Sequence, residues 1–356
     1  MKRLFALLML LSAVPVMGGA FEPDTLRLNF LGDVMAHYRQ LRHARIPGAD
    51  TTKASSYDFS TYFKGIQNRL DSADINVANM EFPVGVIPYS GFPLFSAPKS
   101  EPEEAIRCGI DVFLAANNHI CDKGRRGLDS TVAIYSSMPV HYTGIWRDTT
   151  EERLNNPLIV TEKGFRIAFI NFTYGLNGFS VPPPYVVGQM DSLQIKSAIQ
   201  RARDRQADFI IALPHWGLEY HLDYSPEQKK WRNNLYRWGV DMIVGTHPHV
   251  PQAVEYVDGR ITAYSLGNYI SNMSIAYGQV GILLGVTLVR RTDGSIETLP
   301  PEVTYLWTGK GGYLEQNYTV VPIEEYLDRP EAFLQRSQYD KMVREYTAIK
   351  RKFLQY

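Results

Sequence analysis

Cysteine is almost absent from this 356-residue chain, which contains only Cys108 and Cys121. No disulfide framework can therefore carry the fold, and the pair reads either as two buried thiols or as one bridge that an oxidising compartment would permit. Excess charge of either sign is missing too, since 37 lysines and arginines face 37 aspartates and glutamates. That balance excludes a global basic field for nucleic acid or an anionic membrane, so any polyanion must be held by a local patch. No Ser/Gly linker, charge run or internal repeat divides the chain, and one large domain over residues 21–330 is expected, followed by a helical segment over 331–356. Long apolar runs are also scarce. One stands near the start, where Lys2 and Arg3 precede apolar residues 4–17 and then Gly18, Gly19 and Ala20. It falls short of the roughly 20 apolar residues of a membrane span. Its layout is that of a secretory signal peptide over residues 1–20. A soluble, exported mature chain is the expectation, periplasmic or extracellular, with no cysteine near the cleavage site to take a lipid anchor.

What the chain does have is a series of buried-looking runs that stop in polar residues. Residues 26–31 lead into Gly32-Asp33, 75–78 into Asn79 and Glu81, and 112–116 into Asn117-Asn118-His119. The pattern returns at 165–172, at 209–213 before His215, and at 242–244 before Gly245-Thr246-His247-Pro248-His249. Such runs predict buried strands. Helical periodicity over 60–72, 124–136, 191–206 and 227–238 alternates with them, predicting an α/β fold with layered sheets. Residues 261–264 and 281–289, the latter turning at Asp293-Gly294, are expected to form or extend a second sheet. A terminal helix carries Met342, Tyr346, Ile349 and Phe353 on one stripe and is expected to pack on the outside. The aromatic loop 171–179, before Pro182-Pro183-Pro184, reads as surface filling rather than as a roof over a site.

Polar residues at strand ends carry the chemistry. Asp33 alone fits a helix N-cap, but beside Glu81 the two carboxylates can bridge cations. Asn118 and His119 follow a buried strand directly and need specific partners, which Asp122 can supply. His247 and His249, one residue apart after a glycine, can present their rings to different metals. His215 ends another strand, whereas the neighbouring Trp216 reads as packing. His37, His43, His141 and His221 read as surface or packing residues, with His37 and His221 left open for their nearness to Asp33 and Glu219. Lys123, Arg125 and Arg126 beside His119 read as a solvated helix start or as local positive charge for a polyanion.

Taken together, Gly32-Asp33-Val34-Met35, Ala78-Asn79-Met80-Glu81, Ala116-Asn117-Asn118-His119 with Asp122 and Gly124, His215-Trp216-Gly217 with Glu219-Tyr220, Gly245-Thr246-His247-Pro248-His249-Val250 with Gln252, and Tyr264-Ser265-Leu266-Gly267-Asn268 resemble the CapA family. That family is associated with poly-γ-glutamate capsule biosynthesis and is a branch of the calcineurin-like metallophosphoesterase superfamily. The resemblance implies a four-layer α/β/β/α sandwich with a metal site at the strand ends. It implies that Asp33, Glu81 and His249 hold one divalent cation and that Glu81, Asn118, His215 and His247 hold a second. Asn79, Asp122, Glu219 and Asn268 are then supporting residues, and His119 is the group that protonates a leaving group or steadies transition-state charge. Two departures stand out: the phosphoesterase pattern has a histidine where this chain has Met35, a poor ligand for hard cations, and an aspartate where it has Glu81. Both point to a weakened first site.

The donor set suits Mn²⁺, Zn²⁺ or Fe alike. Three functions follow as expectations: a metal-dependent hydrolase of amide bonds in poly-γ-glutamate or a related anionic polymer, a non-catalytic binding or assembly subunit of a capsule export system with a structural metal, or a conventional phosphoesterase; a membrane capsule synthase is a candidate partner. Nucleic acid is not an expected partner.

Overall fold

The computed structural model describes residues 24–314 and 318–353; the signal-peptide expectation for residues 1–20 lies outside them. Among the described residues two large sheets stack face to face. The first is nine-stranded and runs along its main path in the order Val320–Pro322, Glu302–Thr308, Val280–Arg290, Thr25–Val34, Ile75–Met80, Val112–Leu114 and His141–Thr143. The second is six-stranded, in the order Val254–Val257, Arg260–Ala263, Met242–Val244, Phe209–His215, Phe165–Thr173 and Leu158–Glu162.

Side-chain alternation along the central strands builds three apolar layers, because successive residues of a strand point to opposite faces. Leu26, Leu28 and Phe30 meet Phe165, Ile167, Phe169, Phe209 and Ile211 between the sheets. Leu31, Ala78 and Phe113 turn the other way and are covered by Phe63, Leu128 and Val132. On the far side of the second sheet, Ala168, Ile170, Ile210 and Ala212 are covered by Ile195, Ile199 and Leu235. This is an α/β/β/α sandwich. Its outer helices are capped as their sequences require: Asp191 accepts from the backbone N–H groups of Leu193 and Gln194, and Ser225 with Gln228 forms a capping box.

Three expectations are corrected. The helical pattern over 60–72 is broken into Thr61–Lys64 and Gln67–Leu70, where a Cβ on Gly65 would lie 2.3 Å from the Val320 carbonyl oxygen. Val280–Arg290 pairs antiparallel with Thr25–Val34 and so widens the first sheet, although its hairpin to Ile296–Thr298 forms as expected. The terminal helix Arg336–Phe353 does not lie over an outer face, since Met342, Tyr346 and Ile349 join the core between the sheets. Cys108 and Cys121 are free and buried. No helix among the described residues is long and apolar enough to cross a membrane.

Candidate metal centre

Polar groups converge where parallel strands stop. Thr25–Val34, Ile75–Met80 and Val112–Leu114 run parallel in one sheet, as do Phe165–Thr173, Phe209–His215 and Met242–Val244 in the other. Their C-terminal ends bring Asp33, Glu81 and Asn118 from the first sheet against His215, His247 and His249 from the second. All six are buried.

Local backbone geometry explains how each arrives. The register between the first two strands shifts between Leu31 and Asp33, and a Cβ on Gly32 would lie 1.9 Å from the Gly267 carbonyl oxygen. Only glycine permits that approach. It seats Asp33, whose N–H donates to the Gly267 carbonyl at 3.0 Å. His247 and His249 are held at φ of 102° and 59°, left-handed conformations unusual for a side chain with a Cβ. Each costs about 1–3 kcal/mol and persists only where its surroundings over-determine it. Gly245 begins that loop beneath Trp216, whose indole N–H donates to the Tyr264 carbonyl at 2.9 Å, which is the packing role expected of it.

The donor atoms form two overlapping groups, each with its ligand atoms within 4.8 Å of one another: Glu81 with His247 and His249, and Asp33 with Glu81 and His215. Glu81 belongs to both. Its carboxylate approaches His215 Nε2 at 3.5 Å and His249 Nε2 at 3.8 Å, yet both oxygens are buried without a hydrogen bond. The Nδ1 of His247 is buried and unpartnered as well. Native interiors rarely leave such groups unsatisfied. Anionic oxygen and neutral imidazole nitrogen are the donors divalent transition ions take, so the residues fit a cation. This grouping places His247 with His249, where the family pattern separates them, and keeps Glu81 as the shared carboxylate.

Supporting contacts hold the donors in place. Asn79 donates to Asp33 Oδ1 at 2.7 Å, and Asn268 Oδ1 lies 3.0 Å from His249 Nδ1. Asn118 Oδ1 lies 2.8 Å from His215 Nε2, so in this arrangement the two candidate ligands satisfy each other. Burial opposes charge on Asp33, but the His249 hydrogen bond and the charges of His249 and His215 hold its carboxyl below the usual range. Burial likewise opposes charge on His249, and the Glu81 and Asp33 carboxylates outweigh it, pushing its pKa up to about 9. Burial and the neighbouring histidines drive His247 well down.

His119 stands beside this cluster with its Nδ1 at 2.8 Å from Asp122 Oδ2, and Asp122 also accepts from the Phe95 N–H. Burial would depress the imidazolium, but the Asp122 hydrogen bond and the Glu81 charge raise its pKa above the ordinary value. His119 can therefore hold a proton at the site. A cavity of about 360 Å³ opens over it. A larger one, about 620 Å³, lies between His141–Thr143 and Leu158–Glu162 and contains none of these residues.

Other expected residues are placed elsewhere. Lys123, Arg125 and Arg126 do not line the cavity; Arg125 donates to the Pro183 carbonyl and pairs with Asp129. Met35 is fully buried in the apolar core. His37 packs edge-on against Phe95, and burial pushes its pKa down to about 4. The loop after Phe165–Thr173 roofs the site, contrary to expectation: the Tyr174 and His247 ring centroids are 4.4 Å apart, and Asn177 accepts from Asn118 Nδ2 at 3.2 Å. Thr246, whose Oγ1 lies 2.9 Å from His215 Nδ1, is a contributor that sequence reasoning passed over. Its place between Gly245 and His247 was the available signal.

A four-layer sandwich with acidic, amide and imidazole side chains at its strand ends defines the metallophosphoesterase type of fold. A Staphylococcus aureus candidate 5'-nucleotidase superposes with a TM-score of 0.50 at 13% identity, covering 78% of this chain and 54% of that one, a likeness of fold alone. Residues 27–273 match the family model described as bacterial capsule synthesis protein PGA_cap, and the chain belongs to that family. The capsule biosynthesis protein CapA of Bacillus anthracis is 25% identical over 262 residues, covering 70% of this chain and 60% of that protein. The PGA biosynthesis protein CapA of Bacillus subtilis (strain 168) is 24% identical over 292 residues, covering 80% of this chain and 73% of that one. The chain thus spans 60% of the length of the Bacillus anthracis relative.

Proposed function

We propose that this protein is an exported, metal-dependent hydrolase of amide bonds in poly-γ-glutamate or a related anionic envelope polymer, working beside a membrane capsule synthase. The observation that carries the reading is the Glu81 carboxylate, buried without a hydrogen bond and shared by two groups of cation donors. Asp33, Glu81, His215, His247 and His249, with Asn118, are the residues that would hold divalent metal. Bound there, it would supply Lewis-acid polarisation of the scissile group and a water acidified toward neutral pH.

The rest of the work falls to the chain. His119 holds a proton for the leaving amine, and Asp122 fixes the ring that delivers it. Tyr174 shields His247 from solvent, and Asn177 steadies Asn118. The test is polymer chain length after incubation with the metal-loaded protein: wild type shortens the polymer, and His119→Gln does not while retaining its metal. Full-length polymer in both would overturn the reading. A non-catalytic assembly subunit is the second reading. Met35 favours it, since an apolar side chain packed in the core occupies a position where the phosphoesterase pattern supplies a ligand.

A further inference from the structure

A chain with no net charge must hold a polyanion by a local patch, and among the described residues no lysine or arginine lines the cavity over His119. The larger cavity, of about 620 Å³, has what that one lacks, since Arg166, Arg205 and His141 line it. Its one acidic residue, Glu151, is already paired: Oε1 lies 3.1 Å from Arg147 Nη1, and Oε2 accepts the Arg147 backbone N–H. Asp208, which accepts the Arg166 backbone N–H, is paired with Arg290 at 2.9 Å. Arg166 and Arg205 are half-buried, and among the described residues neither forms an ion pair. Part of each guanidinium is spent on the backbone. Arg166 donates through Nε and Nη2 to the Gln206 and Arg205 carbonyls, and Arg205 through Nη2 to the Arg153 carbonyl. The Nη1 group of each, and both ring nitrogens of His141, make no hydrogen bond among the described residues.

Backbone at the same place is open as well. His141–Thr143 and Leu158–Glu162 are the last strands of their sheets, and among the described residues each pairs with one neighbour only. A strand with a free edge offers N–H and C=O groups to an extended amide chain. Guanidinium forks match carboxylates in the same way. The cavity therefore fits a ligand that carries both groups, a polyamide with regularly spaced carboxylates, and its volume is that of an ordinary ligand cleft. We infer that this cavity is a second polymer-binding site, in which Arg166, Arg205 and His141 hold the α-carboxylates of a γ-linked glutamate chain apart from the metal centre. The inference deepens the hydrolase reading and rests on it for the identity of the polymer. A chain attached here stays at high effective concentration for the metal centre between cuts.

Binding tests it without requiring turnover. Mn²⁺-loaded full chain carrying His119→Gln, which keeps the ligand intact, is titrated calorimetrically with γ-linked hexaglutamate and with the same oligomer amidated at its α-carboxylates. The hexaglutamate is expected to bind at least tenfold more tightly, and adding Arg205→Gln should weaken it by about tenfold, the loss of one charge-assisted contact. Arg205→Gln also frees the Arg153 carbonyl, so His141→Gln, at an exposed residue with no hydrogen bond to lose, is the second variant and should weaken binding in the same direction. Arg336→Gln, an ion-paired arginine outside the cavity, should change nothing. Equal binding of the two oligomers overturns the inference, as does an affinity that survives both Arg205→Gln and His141→Gln. Tripolyphosphate that binds more tightly than hexaglutamate overturns the assignment to a carboxylate ligand. Binding lost in both variants, with no polymer shortening by the otherwise wild-type protein, would sink the hydrolase reading and leave the site; shortening with an affinity that neither variant moves would do the reverse.

Discussion

Replacing Glu81 by glutamine should uncouple the stability of this protein from divalent metal. The side chain keeps its shape and loses the charge shared by both donor groups. A cation at about a hundred times its Kd stabilises the native state by about 2.7 kcal/mol. At about 2 °C per kcal/mol for a chain of this length, that is a rise of roughly 5 °C in the thermal midpoint. Wild type should show this rise with Mn²⁺ or Zn²⁺, and Glu81→Gln should show less than a third of it. In chelator the variant should be destabilised by less than about 3 kcal/mol: no hydrogen bond of the carboxylate is lost, but its charge helps hold the proton of buried His249. Differential scanning calorimetry with and without metal reads both effects. A full metal-dependent rise in the variant, or a metal-free variant destabilised by more than about 3 kcal/mol, would refute the reasoning and make Glu81 a structural residue.

Other outcomes follow from particular contacts. His119→Gln should lower kcat for polymer shortening by roughly 10²–10⁴-fold and leave metal content unchanged, as elemental analysis and chain-length assays would show. Gly32→Ala should cost about 2–3 kcal/mol in urea denaturation and weaken metal binding, because the new methyl meets the Gly267 carbonyl at 1.9 Å. Glu101 is buried with both oxygens unpartnered, and burial raises its pKa well above 4.5. The folded chain keeps that proton while the unfolded chain sheds it near pH 4.5, so stability falls as pH climbs from there toward the folded value. Glu101→Gln should flatten that fall between pH 5 and 8 in thermal unfolding.

Much of this was legible in the sequence because strands buried on both faces need continuous apolar runs, and each run ended in the polar residues now found at the strand ends. The donors were visible for the same reason: a polar group straight after a buried strand demands a partner. Contacts made only in three dimensions were hidden. Gly65 breaks a helical pattern through the Val320 carbonyl, far away in sequence. Tyr174 and Asn177 looked like loop filling until the fold turned them over His247 and Asn118. Lys123, Arg125 and Arg126 read as a solvated helix start or as charge for a polyanion; none lines the cavity, and Arg125 is drawn to Asp129 and the Pro183 carbonyl. Proximity in sequence to His119 carried no information about direction.

Elemental analysis of the purified full chain, wild type beside His247→Ala, tests the central claim most directly. His247 presents a buried, unpartnered nitrogen and sits in one of the two donor groups, so its loss removes a donor without breaking a hydrogen bond of that ring. The expected result is about one to two equivalents of a transition metal in wild type and substantially less in the variant. Equal metal in both, or none in wild type, would contradict the account.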